Sequence, residues 1–135
     1  MRIVVVAVGR LRAPFADDVA HYARLLSRHA RLELIEVRED EKAPARVPER
    51  AFTCILDAGG RSFGSEAFSH FLEERRASGR DLCFVVGGPR GLRLERPDLA
   101  LSLGPMTLPH QLARVVLLEQ LFRAHKILAG EPYHY

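Results

Sequence analysis

The run Leu82-Cys83-Phe84-Val85-Val86-Gly87-Gly88-Pro89-Arg90-Gly91 joins an apolar stretch to three glycines that carry no side chains to do chemistry. Glycine permits positive φ and lets backbone N–H and C=O groups meet a ligand directly, while Pro89 sets the local turn. The corner therefore reads as a ligand-approach site or as a plain strand-to-helix turn. It is not a P-loop, since no Gly-Lys-Ser/Thr follows, and its spacing is not Gly-x-Gly-x-x-Gly. Metal chemistry is not indicated. Cys54 and Cys83 each sit in an apolar run and read as buried small hydrophobes, and the six histidines show no ligand spacing.

The elements that would position this corner follow from periodicity. Residues 2–8 read as a buried strand ending at Gly9. Pro14 opens a helix to about residue 30, with Phe15, Val19, Tyr22, Leu25 and Leu26 on one stripe. Residues 32–37 alternate as a strand with one exposed face. Residues 38–50 are charged, hold Pro44 and Pro48, and read as a loop. A third strand over 52–56 ends in Asp57-Ala58-Gly59-Gly60. Ser65 is the expected N-cap of a helix whose C′ residue is Gly79. The fourth strand is 82–86, residues 92–104 hold a short helix-like piece interrupted by Pro97, and 110–129 is the longest helix, stopped by Gly130.

Strands that alternate with helices and are near-continuously apolar predict an α/β fold, its sheet mostly parallel with helices on both faces. Ligands in such folds sit beyond the carboxyl ends of the strands, which selects the loops 57–64, 87–91 and 103–109. The 135 residues suit one domain, 1–135. The 47% hydrophobic and 27% charged residues exclude a disordered chain. No apolar run is long enough to span a membrane. The start lacks a basic lead-in and a small-residue cleavage site, so a cytoplasmic location is expected. A net charge of +3, carried mostly by arginine, is compatible with a polyanionic partner without requiring one.

The last helix places apolar residues around far more than one face: Leu112, Val115, Val116, Leu117, Leu118, Leu121, Phe122, Ile127 and Leu128 among them. Two arrangements meet that demand. One is a symmetric homodimer, the other a central helix wrapped by its own chain.

Six segments occur in order over nearly the whole chain: Val6-Ala7-Val8-Gly9, Leu34-Ile35-Glu36-Val37, Leu56-Asp57, Gly87-Gly88-Pro89-x-Gly91, Met106-Thr107-Leu108-Pro109-His110 and Pro132-Tyr133-His134. Together they resemble the RlmH family, the SPOUT-class methyltransferases of large-subunit ribosomal RNA. The resemblance implies a C-terminal trefoil knot that holds S-adenosylmethionine, a homodimer, and N3-methylation of a pseudouridine in helix 69 of 23S rRNA on the ribosome. Such knots are exceptions to the usual connection rules, and periodicity does not predict one. The chain departs from the family between its second and third strands. A charged, proline-containing loop at 39–51 stands where relatives have a longer stretch with a helix.

Carried over by motif, the donor-binding residues are Leu56, Gly88, Leu103, Gly104, Pro105, Met106, Thr107 and Leu108. Adenine needs apolar walls and backbone hydrogen bonds, although Leu56 and Leu108 taken singly read as core leucines. An imide nitrogen must lose its proton to accept a methyl group, so a base or an anion-stabilising group is required. His110, Arg114, Arg123, Tyr133 and His134 are the candidates. Arg123 either offsets negative charge on the substrate or pairs with Glu119 one turn earlier. Tyr133 and His134 either close over a flat base or belong to a disordered terminus. The rival reading of another class is a non-catalytic RNA-binding or ribosome-assembly protein that keeps a nucleotide pocket.

Overall fold

A computed structural model describes residues 1–88 and 92–133. Its centre is a five-stranded, all-parallel sheet built from β1 (Arg2–Val8), β2 (Arg31–Val37), β3 (Phe52–Ser62), β4 (Leu82–Val86) and β5 (Leu99–Ser102), in the order β2-β1-β4-β3-β5. Among the described residues three α-helices accompany it: α1 (Phe15–Leu26), α2 (Ser65–Ser78) and α3 (His110–Leu128). The period-2 side-chain rule divides β1 cleanly. Ile3, Val5 and Ala7 join one core with Phe84, Val86, Leu26, Leu72, Leu117 and Leu121, whereas Val4, Val6 and Val8 join another with Val37, Ala43, Cys83 and Val85.

The two faces are covered unequally. All three α-helices contribute to the first core, with α3 packed between α1 and α2. The second face carries no α-helix among the described residues. It is covered by two single-turn 3-10 helices, Asp40–Lys42 and Pro44–Arg46, and by Val47, Leu92 and Leu94. The segment expected as a charged loop thus covers this face of the sheet, anchored by fully buried Ala43.

Four sequence expectations need correction. The piece at 92–104 is not helical: its residues 99–102 form the strand β5, which pairs in parallel with β3 and is aligned by reciprocal bonds between Thr53 and Asp98. The Thr53 N–H donates to Asp98 Oδ2 and the Asp98 N–H to the Thr53 carbonyl, each at 2.8 Å. The third strand does not stop at Leu56. It resumes against β5 after a register shift, so that Leu101 pairs with both Leu56 and Arg61. Gly60 permits that step, because a Cβ there would lie 2.4 Å from the Ala100 carbonyl oxygen. Finally, α1 ends at Leu26, about a turn early, and Ser65 is the first residue of α2 after the Gly64 N-cap. The Ser65 hydroxyl instead donates to Gln120 Oε1 at 2.8 Å, tying α2 to α3. Gly79 terminates α2 as expected, in the left-handed region at φ 75°.

Candidate functional site

A cavity of about 790 Å³ opens beyond the carboxyl ends of β3, β4 and β5. Seven residues expected at a donor site line it: Leu56, Gly88, Leu103, Gly104, Met106, Thr107 and Leu108. Pro105 is exposed and does not form part of the wall. The volume falls in the usual range for a small-molecule site, roughly 300–1,000 Å³. Gly104 sits at φ 136°, a region that side chains rarely adopt, and lets the segment after β5 turn back. The Ser102 hydroxyl secures this turn by donating toward the Ala58 carbonyl at 3.0 Å and the Gly104 carbonyl at 2.9 Å, sharing its one proton, while it accepts from the Gly104 N–H at 3.1 Å.

The glycine corner is held from behind. The Gly88 N–H donates to Asp40 Oδ1 at 3.1 Å, so this group is taken by the 3-10 segment and is not open to a ligand. A Cβ at Gly88 would lie 3.1 Å from Val8 Cγ1, and one at Gly87 would lie 2.8 Å from the Leu92 Cβ and 3.0 Å from its nitrogen. Glycine is needed here for chain-to-chain approach as much as for ligand access. Pro89 and Gly91, which complete the sequence motif, lie outside the described residues, as does His134.

Among the candidates for catalysis, His110 stands in the cavity wall at the first turn of α3. Burial and the neighbouring charges of Arg114 and Arg12 all push its pKa down, which favours the neutral imidazole. Arg114, one turn on, is buried and engaged within the chain. It donates to Glu36 Oε2 at 2.8 Å and to the Val8 carbonyl at 3.0 Å, and it also bonds the Gly9 carbonyl. Its Nε is buried without a partner.

Arg123 lies thirteen residues past His110, about 20 Å along the helix. Its Nη2 pairs with Glu119 Oε2 at 2.8 Å, and its guanidinium lies 4.0 Å from the Tyr133 ring centre. The Tyr133 hydroxyl donates to the same Glu119 oxygen at 2.7 Å, and its ring packs edge-on to Phe122. Burial, then the bond to Glu119, pushes the phenol up to about 12. Within one chain, then, His110 belongs to the cavity, while Arg123 and Tyr133 form a separate cluster with Glu119.

Sequence reasoning did not select Asp57, Ala58, Val86, Leu92, Arg93 or Ala113, all of which line the cavity. Asp57 and Ala58 were within a loop already pointed at the site. Leu92 and Arg93 were hidden because their segment read as helical. The thiols behave as expected of buried small groups. Burial raises both, that of Cys83 to about 12, which leaves them protonated and unreactive. Among the described residues there is no cluster of three or more metal-ligating side chains, and no helix is long and apolar enough to cross a membrane.

A parallel α/β sheet with a cavity built from the loops after three adjacent strands defines a class that comparison makes specific. Residues 1–134 match the family described as predicted SPOUT methyltransferase, and the chain belongs to that family. It is 41% identical to a protein of Carboxydothermus hydrogenoformans over 159 aligned positions covering 99% of each chain. It is 45% identical to one of Gluconacetobacter diazotrophicus, covering 99% of this chain and 96% of the relative. A third, from Acidiphilium cryptum, is 42% identical over 98% of this chain and 93% of the relative. All three bear the name ribosomal RNA large subunit methyltransferase H. The 159-position alignment exceeds the 135 residues present here, so that relative carries chain this protein lacks.

Proposed function

We propose that this protein transfers a methyl group from S-adenosylmethionine to N3 of a pseudouridine in helix 69 of 23S rRNA, acting on assembled ribosomes in the cytoplasm. The observation that carries the reading is the convergence of the seven motif residues on one cavity at the carboxyl ends of β3, β4 and β5. The names of the relatives support the RNA substrate. The whole chain, 1–135, acts as one SPOUT domain in this reading, with the loop and helix after β5 forming the trefoil knot.

The lining suits the donor. Leu56, Leu103 and Leu108 offer apolar walls for an adenine, and Asp57 offers a carboxylate at the cavity edge for a positively charged group. S-Adenosylmethionine supplies a methyl group already activated on a cationic sulfur. The protein must align the acceptor and let its N–H proton leave. Neutral His110, in the wall, can take a proton during transfer. The Arg123, Tyr133 and His134 group would serve from the partner of a homodimer, closing on RNA at the other subunit's cavity. The half-buried stripe of Leu112, Val116, Glu119 and Arg123 on α3 offers the surface for that pairing.

The test is incubation of large ribosomal subunits from a strain lacking the modification with methyl-labelled S-adenosylmethionine, followed by mass spectrometry of the helix 69 fragment. One methyl group on the pseudouridine is expected. Donor binding without label in the RNA would favour the non-catalytic RNA-binding reading.

A further inference from the structure

The loop between β1 and α1 is pinned along its backbone while its two arginines are left to solvent. The Gly9 N–H donates to the Val37 carbonyl at 2.8 Å, the Leu11 N–H to Glu36 Oε2 at 2.9 Å, and the Arg12 N–H to Gln111 Oε1 at 2.8 Å. The Gln111 side-chain amide returns a bond to the Arg10 carbonyl at 3.1 Å. The Ala16 N–H reaches the Arg12 carbonyl at 3.0 Å, and Arg114 holds the Val8 and Gly9 carbonyls. Nearly every backbone group from Val8 to Arg12 is thus fixed by β2, α1 or the first two turns of α3. Loops usually leave such groups to water.

Arg10 and Arg12 themselves are exposed, and neither guanidinium has a partner among the described residues. The nearest carboxylate of β2, Glu36, is already engaged by Arg114 and the Leu11 N–H. The loop also adjoins the cavity. A Cβ at Gly9 would lie 3.6 Å from His110 Nε2, and the Arg12 charge is close enough to disfavour protonation of that imidazole.

We infer that the Gly9–Pro14 loop is a phosphate-binding edge of the cavity, on which Arg10 and Arg12 seat the RNA backbone beside the base presented at His110. Guanidinium forks pair with phosphate oxygens through charge-assisted bonds, and a pinned backbone reduces the conformational freedom lost on binding. The inference rests on the RNA substrate proposed above. It assigns the contact to the RNA phosphates to a surface separate from the donor-binding residues and from the Arg123 and Tyr133 cluster.

The test compares the unmodified protein with the Arg10→Ala/Arg12→Ala double variant and with Arg12→Lys. Binding to large ribosomal subunits is measured over a series of salt concentrations, together with donor affinity by calorimetry. The double variant should bind ribosomes at least tenfold more weakly, with the salt slope reduced by about one for each arginine removed. KM for ribosomes should rise more than kcat falls. Donor affinity and thermal midpoint should stay unchanged, and Arg12→Lys should recover part of the loss. Ribosome affinity and salt slope equal to those of the unmodified protein would overturn the inference while leaving the proposed reaction intact. If the unmodified protein neither binds nor methylates ribosomes, the proposed reaction and this inference fall together.

Discussion

The Asp40 carboxylate accepts the Gly88 N–H at 3.1 Å, linking the 3-10 segment on one face of the sheet to the glycine corner of the cavity. A charged acceptor on an amide is worth about 1.5–3 kcal/mol when shielded, and less here because Asp40 is half-exposed. Asp40→Ala should therefore lower the thermal midpoint slightly. It should weaken S-adenosylmethionine binding severalfold, because Gly88 lines the cavity. Isothermal calorimetry on the folded variant checks this, and an unchanged dissociation constant would detach the segment from the donor site.

Residues on α3 divide the two explanations for its broad apolar surface. Leu118 is only 1% exposed within a single chain, so Leu118→Glu should unfold the protein whatever its oligomeric state. Val116 is half-buried and lies outside both cores. For a homodimer, Val116→Glu should give a folded monomer with donor affinity retained and methyl transfer lost. Light scattering at micromolar concentration decides the matter, since a monodisperse monomer of the unmodified protein would remove the dimer.

Deletion of residues 131–135 takes away the Tyr133 bond to Glu119, the Tyr133 contact with Phe122 and the exposed Lys126–Glu131 pair. These are few and lie near the surface, so the midpoint should fall by only about 3–6 °C. Donor affinity should hold, while transfer to ribosomes drops by two orders of magnitude or more. Full activity in the truncated protein would return the catalytic role to His110.

Stability should also respond to pH through His125. This buried imidazole stacks on His29 with ring centres 5.5 Å apart, and burial lowers its pKa. The unfolded chain then binds the proton more readily than the folded one, so stability rises with pH in the window between the two values. The thermal midpoint should be flat above about pH 7 and fall as pH drops below the ordinary histidine value of about 6.5. His110 adds to the same trend, its pKa being lowered as well. His125→Gln should flatten part of the slope between pH 5 and 7 in melts followed by circular dichroism.

Local periodicity was enough to identify β1, β2, β4, α2 and α3, because each buries a face whose pattern repeats within its own residues. The order of motifs along the chain was enough to assign the family, and the alternation of strands and helices was enough to point to the loops that contribute to the cavity. The four residues of β5 were not legible, since Leu99–Ser102 become a strand only by pairing with β3, and the Thr53–Asp98 bonds that align them join positions 45 apart. The same holds for the glycine corner. Its glycines stood out in the sequence, but only the fold brings Asp40 to the Gly88 N–H and Leu92 against Gly87. Nor could composition separate the two roles of α3, because an apolar residue carries no record of which neighbour covers it. Packing between α1 and α2 buries Leu117, Leu118 and Leu121, leaves Val116 half-exposed, and sets His110 at the cavity with Arg123 some 20 Å away. Hydrophobic pattern is a property of neighbours in sequence, whereas register, close approach and the meeting of polar groups belong to residues that only the folded chain makes neighbours.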